Sequence, residues 1–265
     1  MNGKHYLKHT GNYLMNGEHY LRYAVYNKIH LIRMWCMESL ERILGYPTRR
    51  DNWLMTVLIG GVLVLLGFLV VPLILVYGYV VRVIRETHED QPEPPVFEEW
   101  EQLLVDGLKA VAIGIVYMLI PGLVAALTIG SALASFATGG NVGATAAGLV
   151  FGLTVSTILA LAFGYVATAA LVNFVREDRL GAAFDFTVLR QVIFHRDYAI
   201  PWLIALLVFV VAGVIGSIPA IGWILTPFVT FYAMTVAGNL WSSGVSAALD
   251  STDSPEHFTG EQPAS

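Results

Sequence analysis

Residues 110–136 read AVAIGIVYMLIPGLVAALTIGSALASF, and residues 145–173 read TAAGLVFGLTVSTILALAFGYVATAALVN. From position 110 to position 175 there is no Asp, Glu, Lys, Arg or His, and the same holds from 199 to 249. A helix needs about 20 apolar residues to cross the hydrocarbon of a bilayer, so each run can hold two crossings. Hydrocarbon offers no partner to backbone N–H and C=O groups, which must therefore bond within the segment, as in a helix. A membrane β-barrel would show short alternating segments with polar lumen positions, and these are missing. The reading is an all-α, polytopic transmembrane helix bundle.

Composition agrees. Of 265 residues, 13% are charged, against roughly 25% in a soluble domain, and the mean hydropathy is +0.64. Cys36 is the single cysteine, which excludes an intramolecular disulfide. The first residues are polar and have no short apolar core before a small-residue cleavage site, so no signal peptide is expected.

The formal net charge of -5 hides two regions. Residues 1–36 hold Lys4, Lys8, Arg22, Lys28 and Arg33 against Glu18, a balance of +4, which leaves -9 for the remainder. That remainder is rich in acids, and Lys109 is its only lysine. Such a balance predicts a protein of a high-salt cytosol, as in haloarchaea; a GC-rich genome favouring arginine codons is the alternative.

Residues 1–36 repeat themselves, Asn2-Gly3-Lys4-His5-Tyr6-Leu7 recurring as Asn16-Gly17-Glu18-His19-Tyr20-Leu21. They offer no clear span. They are read as a non-native or disordered N-terminal extension, with translation starting at Met37; a basic arm binding anionic headgroups is the alternative. The transmembrane domain is assigned to 37–249, and a disordered acidic tail to 250–265.

Three amphipathic stretches alternate with apolar ones. Leu40, Ile43 and Leu44 share a helical face before Tyr46-Pro47. Phe97, Trp100, Leu104 and Leu108 share another within 96–109, and a third stretch covers 180–198. Spans are expected at 110–136, 145–173, 199–217 and 221–248. The stretch 53–86 is either one helix kinked at Pro72 or a hairpin of two short helices turning near Leu69 to Pro72. Arginines mark the cytoplasmic side of membrane proteins. They cluster at Arg42, Arg49 and Arg50, at Arg82 and Arg85, and at Arg176, Arg179, Arg190 and Arg196. All of them fall on one side only if 53–86 is a hairpin. Six spans with both termini cytoplasmic are therefore expected, or five with the kinked helix. The hairpin also makes the chain a threefold repeat of amphipathic helix plus membrane hairpin.

Tyr46-Pro47 to Trp53, Leu58-Ile59-Gly60-Gly61, Gly78-Tyr79-Val80-Val81-Arg82-Val83-Ile84-Arg85, Pro95 to Trp100 and Asp106-Gly107-Leu108-Lys109 occur in order. Together they resemble a membrane family of archaea and some bacteria catalogued as domain of unknown function 4013, over about residues 40–248. That family has no assigned activity, so the resemblance implies no functional residues. It is distantly similar to the membrane domain attached to some glycerophosphodiester phosphodiesterases. This chain has no soluble phosphodiesterase domain, so that likeness implies no catalysis.

No acid or base stands inside 54–81 or the four long spans, so a proton or ion relay lacks its usual groups. His88-Glu89-Asp90 lie adjacent in an acidic loop without a spaced ligand set, and His195 is read as a surface residue. No zinc-protease, phosphate-loop or dinucleotide pattern is present. Thr154, Ser156 and Thr157 lack a nearby activating base and are expected to bond to helix backbone or across helices. The pairs Ser131/Ser135, Gly139/Gly143, Gly148/Gly152 and Gly213/Ser217 permit close helix packing, within one bundle or between two copies. No catalytic, cofactor or metal-binding residue is assigned, and no nucleic-acid partner is expected. The expected partners are the lipid bilayer and a homo-oligomer or membrane partner protein. The expected function is a non-enzymatic structural, lipid-interacting or accessory role; the alternative is a channel or transporter for a neutral or lipid-like solute.

Overall fold

The computed structural model describes residues 41–253; the expected N-terminal extension and residues 254–265 of the expected tail lie outside them. The chain divides into two units at Gly45, and the second unit carries the fold. Its described residues form helices joined by loops, without a strand: α1 Trp53–Leu65, α2 Val71–His88, α3 Trp100–Ala137, α4 Val142–Glu177, α5 Phe186–Ile193, α6 Arg196–Gly216 and α7 Ile221–Asp253. Helices α3, α4, α6 and α7 are each long and apolar enough to cross a membrane.

The stretch 53–86 is a hairpin, not a kinked helix. After α1, a 3-10 turn over Leu66–Leu69 leads to Val70 at φ 67°, and α2 starts afresh with Pro72 in its first turn. Proline has no N–H and its ring clashes with the preceding turn, so it starts a helix more readily than it continues one. The two arms return to the same end. Arg50, before α1, pairs with Glu93 after α2 at 3.3 Å, and Arg49 Nη1 donates to the Pro92 carbonyl at 3.2 Å. Both arms lie on α7: the rings of Phe231 and Phe228 fill the space beside Gly60 and Gly61, and Gly238 abuts Val80 and Val83.

The second hairpin joins α3 and α4 through a loop at 138–141. Asn141 accepts from the Ala144 amide at 2.9 Å and caps α4. The third joins α6 and α7, with Gly216 against Thr226 near the turn and Gly244 against Pro201 at the other end. Arg50, Arg82, Arg85 and Lys109 share the end of the unit opposite the uncharged turns.

Two expectations about amphipathic helices change. The stretch 96–109 is no separate interfacial helix; α3 runs unbroken from Trp100 to Ala137, because no breaker stands between Lys109 and the charge-free run. Its packed face is also a different one. Leu103, Asp106, Gly107 and Ala110 are buried, whereas Trp100, Leu104 and Leu108 are exposed. The 38 residues of α3 extend about 57 Å at 1.5 Å per residue, well beyond a hydrocarbon core of about 30 Å. The third stretch is a 3-10 turn at Leu180–Phe184 followed by the short helix α5.

Helices α2 and α3 cross backbone against backbone. A Cβ on Gly78 would strike the Leu103 carbonyl, and one on Gly107 would strike the Ile74 carbonyl. These are backbone atoms with no rotamer to yield. Gly78→Ala and Gly107→Ala are each expected to cost about 1–3 kcal/mol, read as a lower melting temperature of the detergent-solubilised protein. Gly114→Ala adds its methyl to open space. It should be neutral or stabilising by up to about 1 kcal/mol through helix propensity. Equal effects at all three positions would contradict the crossing.

Candidate functional site

The stretches whose order resembles a family in sequence converge at the charged end. Tyr79 on α2 lies fully buried, and its hydroxyl donates to the Pro95 carbonyl at 3.0 Å. Its ring stacks on Phe97 at 4.6 Å, Phe97 stacks on Trp100 at 5.6 Å, and Phe231 of α7 meets Tyr79 at 5.0 Å. Tyr79 of α2 thus pins the loop from Glu89 to Glu99 down by aromatic contact and by a main-chain acceptor. Arg82 adds to this, donating to the Glu98 carbonyl at 2.9 Å and pairing with Glu99 at 2.9 Å.

One turn further on, Arg85 Nη1 donates to Asp106 Oδ2 at 3.0 Å, and Lys109 Nζ lies 3.5 Å from Asp106 Oδ1. The Asp106 side chain is only 7% exposed. Lys109 also sits 5.8 Å from the Phe174 ring on α4, a cation–π contact. Beside this triad is a cavity of about 380 Å³, whose walls include Glu101, Gln102 and Asp178. Both Asp106 oxygens face cations, so the group is a counter-charge rather than an available base.

A second cavity of about 310 Å³ lies among Arg50, Glu86, Glu89 and Glu93. Burial pushes the Glu86 carboxyl up from its ordinary value; Arg50 and Arg82 pull it down, and Glu89 pushes it up. Burial likewise pushes the Tyr46 hydroxyl up to about 12, against the opposing pull of the neighbouring Thr87 hydroxyl. Asn239 of α7 donates to Thr87 at 3.1 Å, and Ser242 donates to the Ile84 carbonyl at 2.9 Å, tying α7 to α2.

Asn239 thus bonds across helices, while Asn173 donates to the Ala182 carbonyl at 2.8 Å, into the turn that follows its own helix. Thr154 and Thr157 bond to their own helix, and Ser156 donates across to the Pro121 carbonyl at 2.9 Å. Ser135 meets Thr145 at 2.6 Å, and Gly152 abuts Thr128, so these small residues pack within one hairpin. Gly148 and Gly213 face open space. His195 caps α6 and lies 3.3 Å from Asp197. Among the described residues no group of three or more His, Cys, Asp or Glu could hold a metal ion.

In the sequence Asp106 and Lys109 stand out only as parts of the motif Asp106-Gly107-Leu108-Lys109. The signal available was an acid and a lysine one turn apart, immediately before a charge-free run. Arg176 Nε and Nη1 are buried without a hydrogen-bond partner among the described residues, as is Trp241 Nε1.

These features define a polytopic helical membrane protein whose charged groups are gathered at one end. The family model described as "Protein of unknown function (DUF4013)" matches residues 59–221. That is more than half of the chain, which belongs to this family. No curated protein and no solved structure matches it, and the likeness to the membrane domain of glycerophosphodiester phosphodiesterases gains no support.

Asp106→Asn leaves Arg85 and Lys109 facing a neutral group and is expected to cost about 1–3 kcal/mol. Adding Arg85→Gln should recover part of that loss. A double-mutant cycle on melting temperatures checks it, and strict additivity would show that the pair is not coupled.

A carboxyl whose folded pKa lies above its unfolded one binds more protons in the folded chain. Its stabilising contribution is full below the ordinary carboxylate range and is lost as pH rises through that range toward the folded value. Glu86→Gln, a mimic of the protonated form, should therefore raise the melting temperature at about pH 7 and change it little at about pH 4. A difference independent of pH would remove Glu86 ionisation as the cause.

Proposed function

We propose that this protein is a non-enzymatic membrane protein with a structural, lipid-interacting or accessory role. The observation that carries the reading is how its surface is divided. Around the outer part of the α3–α4 hairpin, large apolar side chains point outward on every side, among them Leu119, Leu123, Leu127, Leu133, Phe151 and Ile158. At the other end the charges of the α2–α3 junction are consumed by one another, as Arg82 by Glu99 and Arg85 and Lys109 by Asp106. Such a molecule offers lipid a large surface and offers a reaction few free groups. Gly148 and Gly213, open on the outer faces, suit close approach by a second copy or another membrane protein. The arginine-bearing end is assigned to the cytoplasm by the positive-inside bias, which puts both termini there and gives six spans if the short α1–α2 hairpin also crosses.

A second reading, a channel or transporter for a neutral or lipid-like solute, has one observation in its favour. A cavity of about 560 Å³ lies in the outer part of the α3–α4 hairpin and is lined in part by Thr128, Ser131, Ser135, Asn141 and Thr145. Yet these hydroxyls already donate within the hairpin, Thr128 to Val124, Ser131 to Thr128 and Thr145 to Asn141.

The full chain in liposomes, exposed to a panel of neutral solutes and followed by stopped-flow light scattering, separates the two. No saturable protein-dependent flux is expected. Saturable flux that falls in the Ser135→Ala, Thr145→Val variant would overturn the accessory reading in favour of transport.

A further inference from the structure

We propose that α5 and the start of α6 form a binding site for the phosphate headgroup of an anionic phospholipid, with Arg190 as its anchor. The inference rests on the lipid-interacting reading and narrows it to one site and one lipid class. Phe186 and Arg190 of α5 and Phe194, its C-cap residue, recur four residues apart and so fall along one side. The opposite side is buried through Leu189 and Val192. Phe186 is 70% exposed and Phe194 81% exposed. These are the costliest groups to leave in water in this part of the chain. Between them, Arg190 has no ion-pair partner among the described residues, unlike Arg50, Arg82 and Arg85.

In a surface-lying amphipathic helix the cations and the large apolar side chains take opposite faces. Here they share a face, an arrangement that suits one ligand with a charged head and an apolar body. The location fits such a ligand. Helix α5 lies between the end of α4 and the start of α6, two helices apolar enough to cross a membrane, so Phe194 stands at the mouth of a span. A cavity of about 710 Å³ opens there, lined by Phe186, Thr187, Arg190, Gln191, Phe194 and His195 along with Thr252 of α7. Thr187 and Gln191 add uncharged polar groups around the guanidinium, whose planar fork matches two phosphate oxygens. The phenyl rings beside it meet the upper acyl chain.

The test is native mass spectrometry of the full chain in detergent, titrated with phosphatidylglycerol or phosphatidylcholine, with and without inorganic phosphate. Wild type should retain phosphatidylglycerol in preference to phosphatidylcholine, and inorganic phosphate should not displace it. Arg190→Gln should weaken phosphatidylglycerol binding about tenfold, the loss of one charge-assisted contact. Arg190→Lys should restore part of it. Arg179→Gln, which removes an exposed arginine paired with Glu177, should leave it unchanged. Unchanged retention in Arg190→Gln overturns this site while the lipid-interacting reading stands; saturable solute flux overturns that reading whatever Arg190 does. Displacement by inorganic phosphate would make this a site for the free ion. Binding that emerges only after removal of residues 254–265 would make the acidic tail its occupant. Either result overturns the proposal.

Discussion

Two backbones touch where Gly78 meets the Leu103 carbonyl and Gly107 meets that of Ile74. Between helices in lipid the hydrophobic effect gives little attraction, because acyl chains are as apolar as leucine; association rests on close packing and on polar contacts. A crossing without Cβ atoms supplies the first and makes the second possible. With α2 and α3 this close, the side chains of Tyr79, Arg82 and Arg85 reach Pro95, Glu99 and Asp106. Widen the crossing by one methyl and those hydrogen bonds lengthen together. The ion triad is thus a consequence of the glycines more than a cause of the packing. Its cations also have shorter routes to water than Asp106 does, since Arg85 and Lys109 are 25% and 33% exposed in their side chains.

The packed face of the α3 base follows from the same crossing. In water an amphipathic helix buries its leucines and exposes its acids. Here Leu104 and Leu108 are exposed while Asp106 is buried. The reversal is reasonable for a helix entering a bilayer. Lipid accepts leucine at no cost, whereas an acid at that level must find cations within the protein. Reading 96–109 by the soluble rule makes the wrong side the packing side.

Which parts were legible in sequence follows from the range of each interaction. The long spans were legible because exclusion of charge is a property of every residue in the run. The first hairpin was legible because the arginines flanking it fall on one side only if the chain turns back; Pro72 by itself also allowed a kinked helix. The fusion of 96–109 with the following span was missed, because a change from amphipathic to wholly apolar looks like a boundary although no backbone breaker marks it. The junction itself was least legible. Tyr79 with Pro95 and Arg85 with Asp106 lie 16 and 21 positions apart, and Thr87 and Asn239 lie 152 apart. Only the folded path of the chain brings them together. What the sequence showed was short motifs in order, without any indication that they share one place.

The two ends of the molecule are held by different means. Near the junction, four helices and an aromatic stack surround α2, and Val76, Tyr79, Val81 and Val83 are completely buried. Beyond Tyr117 the α3–α4 hairpin has little but itself. Pro121, Ala132, Thr145 and Ser156 are its buried residues there, and two cross-hairpin hydrogen bonds, Ser135 with Thr145 and Ser156 with Pro121, join its arms. A two-helix unit with so small an interface would fray in water, but hydrocarbon keeps every backbone hydrogen bond intact because no competing partner exists. The bilayer therefore does for the outer hairpin what packing does for the junction. The protein's shape at that end should accordingly depend on lipid thickness more than on any substitution along it, since a hairpin longer than the hydrocarbon must tilt or thicken the membrane around it.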